Sequence, residues 1–184
     1  MQKRIVITGG PSTGKTSLIE EMQNAGYFCY PEVIRQMTHR AKSIGELTDY
    51  GTNPIASVSN PLDFNTKILS ARLSHFEEAR DQSEAVIFFD RGMPDVLAYM
   101  DYYDQPTPDD FSSIVKKNRY DQVFLLPMWQ DIFVKDGERF ESYQDALKIS
   151  ECLHNTYRDF DYDVIEVPKS SVAERIAFIL KNLK

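Results

Sequence analysis

Cysteine is scarce in this 184-residue chain, where only Cys29 and Cys152 occur. They lie far apart without metal-ligand spacing, so they read as ordinary thiols of a reducing compartment rather than a disulfide or a zinc site. His39, His75 and His154 are the only histidines, and each falls on a different expected helix, which argues against a histidine-built metal centre. Surplus positive charge is lacking too. With 21 Lys and Arg against 28 Asp and Glu, the net charge is −7. That is the wrong sign for a general nucleic-acid binder, although basic residues can still cluster around a phosphate. No apolar run approaches the ~20 residues of a membrane span, and the chain enters a strand too soon for a secretory leader. A cytoplasmic protein is the expectation. No repeat or low-complexity tract appears. The length suits one domain over 1–184, able to bury a core without metal or disulfide staples.

What the sequence does contain is an alternation of apolar runs and helix-period segments. Residues 4–8, 27–31, 85–90, 122–127 and 163–168 read as strands. Helical patterns fall near 15–25, 32–43, 62–82, 108–118, 142–160 and 171–182. Near-continuous apolar strands separated by helices predict an α/β fold, a parallel sheet covered by helices on both faces. The least regular stretch is 44–61, with Gly45, Gly51, Pro54 and Pro61 among Ser, Thr and Asn. It is either a surface loop or a mobile substrate loop.

The first strand runs straight into a motif. Gly9, Gly14, Lys15 and Thr16 fit G-x-x-x-x-G-K-[ST], and Leu18, Ile19 and Met22 then open an amphipathic helix. This is a phosphate-binding loop between a strand and a helix. Gly9, Gly10, Pro11, Ser12, Thr13, Gly14, Lys15, Thr16 and Ser17 are its candidate nucleotide-binding residues. The glycines turn backbone N–H groups toward one anionic centre, and the helix N-terminus adds its positive dipole end. Lys15 can reach β- and γ-phosphates, and the Thr16 hydroxyl can hold Mg²⁺.

A second group gathers at other strand ends. AVIFFD closes on Asp90, a Walker B pattern that delivers a carboxylate beside the metal of the phosphate loop. Arg91 follows, giving an Asp-Arg step like the D-R or E-R-S segments of nucleotide and nucleoside kinases. Arg91 either grips a phosphate or acceptor, or is a surface residue at a helix start. Glu32 and Arg35 end the second strand at the edge where open parallel sheets bind ligands. Glu32 is a candidate general base or acceptor contact; a helix's first turn also favours an acid for its dipole alone. Residues 128–141 occupy the lid position of such kinases, with Arg139 and then Lys135 as cations that close over the transferring group, or as solvated surface charges. Trp129 is core or lid, and Arg72 reads as part of a solvated helix face more than as an acceptor contact.

Together these segments resemble a family of small P-loop proteins, the AAA-domain predicted ATPases, related to nicotinamide-riboside kinases and to nucleoside and nucleotide kinase-type folds. The resemblance runs through RIVITGGPSTGKTSLIE, YPEVIRQ, FFDRGMPDVLAY, RYDQVFLLP, KDGERFESYQDAL and YDVIEVPKSSVAERIAFIL, with FFDRGMPDVLAY the most specific segment. It implies a P-loop NTPase three-layer α/β/α sandwich with five parallel strands in 2-3-1-4-5 order, binding ATP and Mg²⁺ at the loop. It names no acceptor, and it leaves Asp95 open as a substrate contact or a helix-start residue.

The expected function is ATP-dependent transfer of the γ-phosphate to a small acceptor, for which a nucleoside-like molecule is what the resemblance implies. In that reading Lys15 neutralises β/γ charge, and Thr16 and Asp90 hold the metal. Glu32 or Asp90 orients the acceptor hydroxyl, Arg91 and Arg35 anchor the acceptor, and Arg139 closes over the γ-phosphate. The rivals are an ATP-hydrolysing regulatory switch and a nucleotide-binding module without transferase activity. A Ras-type GTPase is disfavoured, because no N-K-x-D guanine motif follows the fourth strand.

Overall fold

The computed structural model describes residues 2–37, 60–133 and 141–184. The five apolar runs form β1 (Lys3–Gly9), β2 (Phe28–Tyr30), β3 (Val86–Asp90), β4 (Gln122–Leu126) and β5 (Val164–Glu166). All neighbours pair in parallel, in the order β2-β3-β1-β4-β5, as the resemblance implies. Around them lie α1 (Lys15–Asn24), α2 (Pro61–Glu78), α3 (Pro94–Tyr102), α4 (Asp109–Lys117), α5 (Tyr143–Asp159) and α6 (Val172–Lys181). Residues 33–37 are helical as well.

Side chains alternate across a strand, so each strand feeds two cores. Ile5, Ile7, Phe88, Phe124 and Leu126 face one side and pack with Leu18, Ile19 and Met22 of α1 and Ile179 of α6. Val6, Ile87, Phe89 and Val123 face the other and meet α2, α3 and α4 through Phe64, Leu69, Val96, Met100, Phe111 and Val115. Each fully buried aliphatic or aromatic side chain of this kind contributes about 1.5–3 kcal/mol. The three layers therefore follow from the alternation itself.

Helix starts are marked chemically. Ser142 with Asp145, and Ser171 with Glu174, form reciprocal capping boxes at α5 and α6, satisfying N–H groups that a helix start leaves without partners. At α2 the Asn60 side chain accepts from the Asp63 N–H, and Pro61 takes the first helical position. The irregular stretch expected over 44–61 thus ends at Asn60; residues 44–59 lie outside the described residues.

Helix α3 is absent from the sequence expectation. Pro94, Asp95, Val96, Leu97, Ala98 and Met100 are all buried, so the helix has almost no polar face to set up a 3.6-residue contrast. It is sandwiched beneath Ile149 and Leu153 of α5, which pack with its Ala98. Cys29 is buried, Cys152 is half-buried, and both are free thiols.

Candidate functional site

β1 delivers the phosphate loop from the middle of the sheet. Gly14 adopts φ 80° immediately before α1, a left-handed conformation that glycine enters without a Cβ penalty. A Cβ there would also stand 3.0 Å from Arg175 Nη1. The Thr13 hydroxyl donates to the Gly10 carbonyl at 3.0 Å, tying the loop across itself. No side chain caps α1, so its first N–H groups remain available to an anion. Residues 10–17 line a cleft of about 480 Å³. Gly9 stands behind the lining, against the Leu126 carbonyl of β4.

Sheet register gathers the charged side chains. In β1 and β3, Ile7 lies opposite Asp90, which sets Asp90 beside the start of the loop. Lys15 Nζ meets Asp90 Oδ1 at 2.5 Å, with side chains 7% and 5% exposed. In β2 and β3, Tyr30 lies opposite Phe89. Glu32 and Arg91 each follow two residues later, and they pair at 3.0 Å from Arg91 Nε to Glu32 Oε1. Arg35 sends Nη2 to the Thr16 hydroxyl at 3.1 Å.

Behind Arg91 stands Asp95, 0% exposed. Its Oδ1 accepts from Arg91 Nη1 at 3.1 Å and from the Thr8 hydroxyl at 2.5 Å. Its Oδ2 accepts from the Gly92 N–H at 2.9 Å and from the Tyr157 hydroxyl at 2.5 Å. Asp95 thus joins β1, the β3–α3 turn and α5, and it is not part of the cleft wall. Arg91 itself has φ 73°, which costs a non-glycine residue about 1–2 kcal/mol; its two carboxylate partners and the Arg91 N–H to Ile7 carbonyl bond at 3.0 Å hold it there. Gly92 is required by close approach, since a Cβ would lie 2.6 Å from the Tyr157 hydroxyl.

The electrostatics follow from this packing. Burial pushes the Glu32 carboxyl up, but Lys15, Arg91, Arg72 and Arg35 together outweigh it and hold it at about 2. Burial likewise opposes ionisation of Asp95, and Arg72, Arg91, Thr8 and Tyr157 bring it below the usual carboxylate range. Both are anions at neutral pH. Tyr99, on the cleft wall, is pushed up to about 12 by burial, with Arg91 pulling the other way.

Several participants escape sequence reasoning. Arg72, expected on a solvated face, is 4% exposed and donates from Nη1 to the Gly92 carbonyl at 2.8 Å. Its signal is present: Phe64, Ile68, Arg72 and Phe76 recur every fourth residue on α2, all buried, so the arginine sits in the apolar stripe. Arg175 does the same on α6 and, with Trp129, Ile132 and Glu141, closes the far wall of the cleft. Trp129 is therefore a cleft residue. Of the 128–141 segment, residues 134–140, including Lys135 and Arg139, lie outside the described residues.

Among the described residues no helix is long and apolar enough to cross a membrane, and no cluster of three His, Cys, Asp or Glu side chains stands ready for a metal. A five-stranded parallel sheet in this order, with a phosphate loop after β1 and an acidic strand end beside it, defines a P-loop fold of the nucleoside and nucleotide kinase type. The chain belongs to the AAA domain family, whose profile matches residues 4–175. No curated protein matches it.

Solved structures carry the same fold at low identity. Deoxyadenosine kinase from M. mycoides with bound dATP is 16% identical with a TM-score of 0.64, covering 97% of both chains. Thymidylate kinase from Ehrlichia chaffeensis is 10% identical with a TM-score of 0.67, covering 100% of this chain and 99% of that one. NadR in complex with NR is 15% identical with a TM-score of 0.71, covering 97% of this chain but 50% of NadR. This chain therefore spans about half the length of NadR.

Proposed function

We propose that the protein is a phosphotransferase that moves the γ-phosphoryl group of ATP to a small, nucleoside-like acceptor. The observation that carries this reading is the Glu32–Arg91 pair, which faces the same cleft as the phosphate loop. A loop alone serves hydrolysis and binding equally well. A half-buried carboxylate and a buried guanidinium at the adjoining strand ends supply what an acceptor hydroxyl needs.

In this reading the backbone N–H groups of residues 10–17 and the Lys15 ammonium cradle the β- and γ-phosphates. Lys15 would exchange its carboxylate partner Asp90 for phosphate oxygens. Thr16 on the cleft wall and Asp90 behind Lys15 offer hard oxygen donors, the donor set that suits Mg²⁺, which usually takes one or two protein ligands and the rest from phosphates and water. Bound there, the ion would neutralise charge across the β- and γ-oxygens.

Glu32 stays ionised far below neutral pH, so it is a weak proton acceptor before transfer begins. Its part is to accept a hydrogen bond from the acceptor hydroxyl and aim the oxygen. The proton moves late, consistent with a loose transition state that asks little deprotonation of the nucleophile. Arg91 holds Glu32 in place and presents its remaining edge to the acceptor or the transferring group. Arg35 lines the same end of the cleft, and Arg139 is the proposed lid cation over the γ-phosphate.

The test is incubation with γ-labelled ATP and a panel of nucleosides, nicotinamide riboside and sugars. Label appearing in a new small molecule is the expected result. Inorganic phosphate alone would indicate a hydrolysing switch, and no turnover with tight retention of nucleotide would indicate a binding module.

A further inference from the structure

The cleft cations differ in how their charge is met. Lys15 has Asp90, and Arg91 has Glu32 and Asp95. Arg175 is 5% exposed, yet among the described residues it has no carboxylate partner. Its Nε donates to the Ser170 carbonyl at 2.8 Å and its Nη1 to the Thr13 carbonyl of the phosphate loop at 3.0 Å. Its guanidinium lies over Trp129, with Cζ 5.0 Å from the ring centroid. Neutral carbonyls and a ring face do not balance a full charge, and burial of an unbalanced cation is costly. Desolvation accordingly weakens its hold on its proton, with no acid countering it. Nη2 makes no hydrogen bond among the described residues and is not sealed from the cleft that Arg175 lines. Beside it, Ser170 Oγ is buried without a hydrogen-bond partner and lines the same cleft.

A buried cation held in place by two carbonyls, with one donor edge open to a phosphate-binding cleft, is arranged for an anion that the described residues do not supply. We propose that Arg175 is an additional polyphosphate-binding residue, supplying charge from the α6 wall while bracing the loop at Thr13. This rests on the reading that the cleft takes a nucleotide. Ser170 Oγ is a further donor for the same ligand.

The experiment measures calorimetric affinity of the purified protein for ATP, inorganic tripolyphosphate and adenosine, in wild type, Arg175→Gln and Arg175→Lys. Arg175→Gln should weaken ATP and tripolyphosphate about tenfold or more, as loss of a charge-assisted hydrogen bond implies, and leave adenosine unchanged. Arg175→Lys keeps the charge but not the fork that reaches both carbonyls, and should recover a good part of the loss. Equal weakening by Gln and Lys would reduce Arg175 to a brace and overturn the proposal. Equal loss for adenosine and ATP would make it a base platform and overturn it too. Wild-type protein binding neither ATP nor tripolyphosphate would sink the nucleotide reading itself. Wild-type binding with an indifferent Arg175→Gln sinks the Arg175 proposal alone.

Discussion

Asp95→Ala probes the buried charge chain at the point where most of it converges. The substitution removes the acceptor for Thr8, Tyr157 and Gly92 and takes one of two carboxylates from Arg91. Asp95 is 0% exposed, so water does not substitute freely. Breaking a buried ion pair by removing one partner costs about 3–5 kcal/mol. Each orphaned neutral donor would add roughly 1–3 kcal/mol, but the donors share one acceptor group and these losses overlap. A total of about 4–6 kcal/mol is expected, against a whole-protein stability of roughly 5–15 kcal/mol.

Asp95→Asn keeps the shape and one acceptor, but its amide must turn an N–H toward a donor, for roughly 2–3 kcal/mol. Urea unfolding measures both, read from the midpoint at constant slope. The exposed pair Asp63–Lys67, 54% and 61% exposed, provides the control: Asp63→Ala should cost only about 0.5 kcal/mol or less. An Asp95→Ala midpoint within about 1 kcal/mol of that control would refute the reasoning. The chain of bonds from Thr8 to Tyr157 would then be incidental to stability.

Lys15→Ala should abolish the thermal stabilisation given by ATP with Mg²⁺, worth about 2.7 kcal/mol at a hundredfold excess over Kd; a wild-type shift, taken from the variant's own baseline, would remove the nucleotide reading. The Glu32 carboxyl titrates at about 2 in the folded protein against an ordinary 4.5. Its depressed value stabilises the fold above the unfolded value, and that contribution, on the order of 3 kcal/mol, is lost as pH falls from about 5 to 2. Glu32→Gln should flatten that segment of the stability curve, and an unchanged curve would count against the assignment. Gly92→Ala, whose Cβ would meet the Tyr157 hydroxyl at 2.6 Å, should destabilise by about 1–3 kcal/mol through overpacking, seen as a lower urea midpoint. Arg139→Ala should lower turnover with little change in ATP affinity, and a wild-type rate would return Arg139 to the surface.

The loop, the five strands and Asp90 were legible because each is local. A glycine spacing, an apolar run and an acid at its end need no knowledge of distant neighbours. The strand order came from the resemblance, and with it the Glu32–Arg91 pair becomes derivable. Once β2 lies beside β3 with Tyr30 opposite Phe89, two residues past each register position sit side by side. Helix α3 stayed hidden because it is buried nearly all round, which erases the periodic contrast that reveals a helix. Asp95 was visible as an acid near a helix start, but the donors that define it come from Thr8 and Tyr157, 87 and 62 residues away.

Two arginines show what the sequence left hidden: Arg72, expected on a solvated face, and Arg175, given no role there. Both Arg72 and Arg175 occupy the apolar stripe of a helix, where a cation is ordinarily excluded unless something on the inside meets it. Arg72 meets the Gly92 carbonyl and the negative field of Asp95 and Glu32. Among the described residues Arg175 meets only carbonyls and a ring. Three of the buried cations, Lys15, Arg72 and Arg91, are balanced by the three carboxylates Asp90, Glu32 and Asp95, Arg72 through their field and, among the described residues, without a direct ion pair. That cluster is close to charge-neutral before any ligand arrives, so Lys15 and Arg91 would meet a phosphate or an acceptor only by giving up part of these contacts. Outside that balance lie the N–H groups of the loop, the end of α1, Arg35 at the rim and Arg175 on the wall, and in the proposed reading these add to Lys15 in attracting an anion. Arg72, set in the field of Asp95 and Glu32, thus braces the β3–α3 turn, while Arg175, which meets no acid among the described residues, is where the proposed ligand is to be sought.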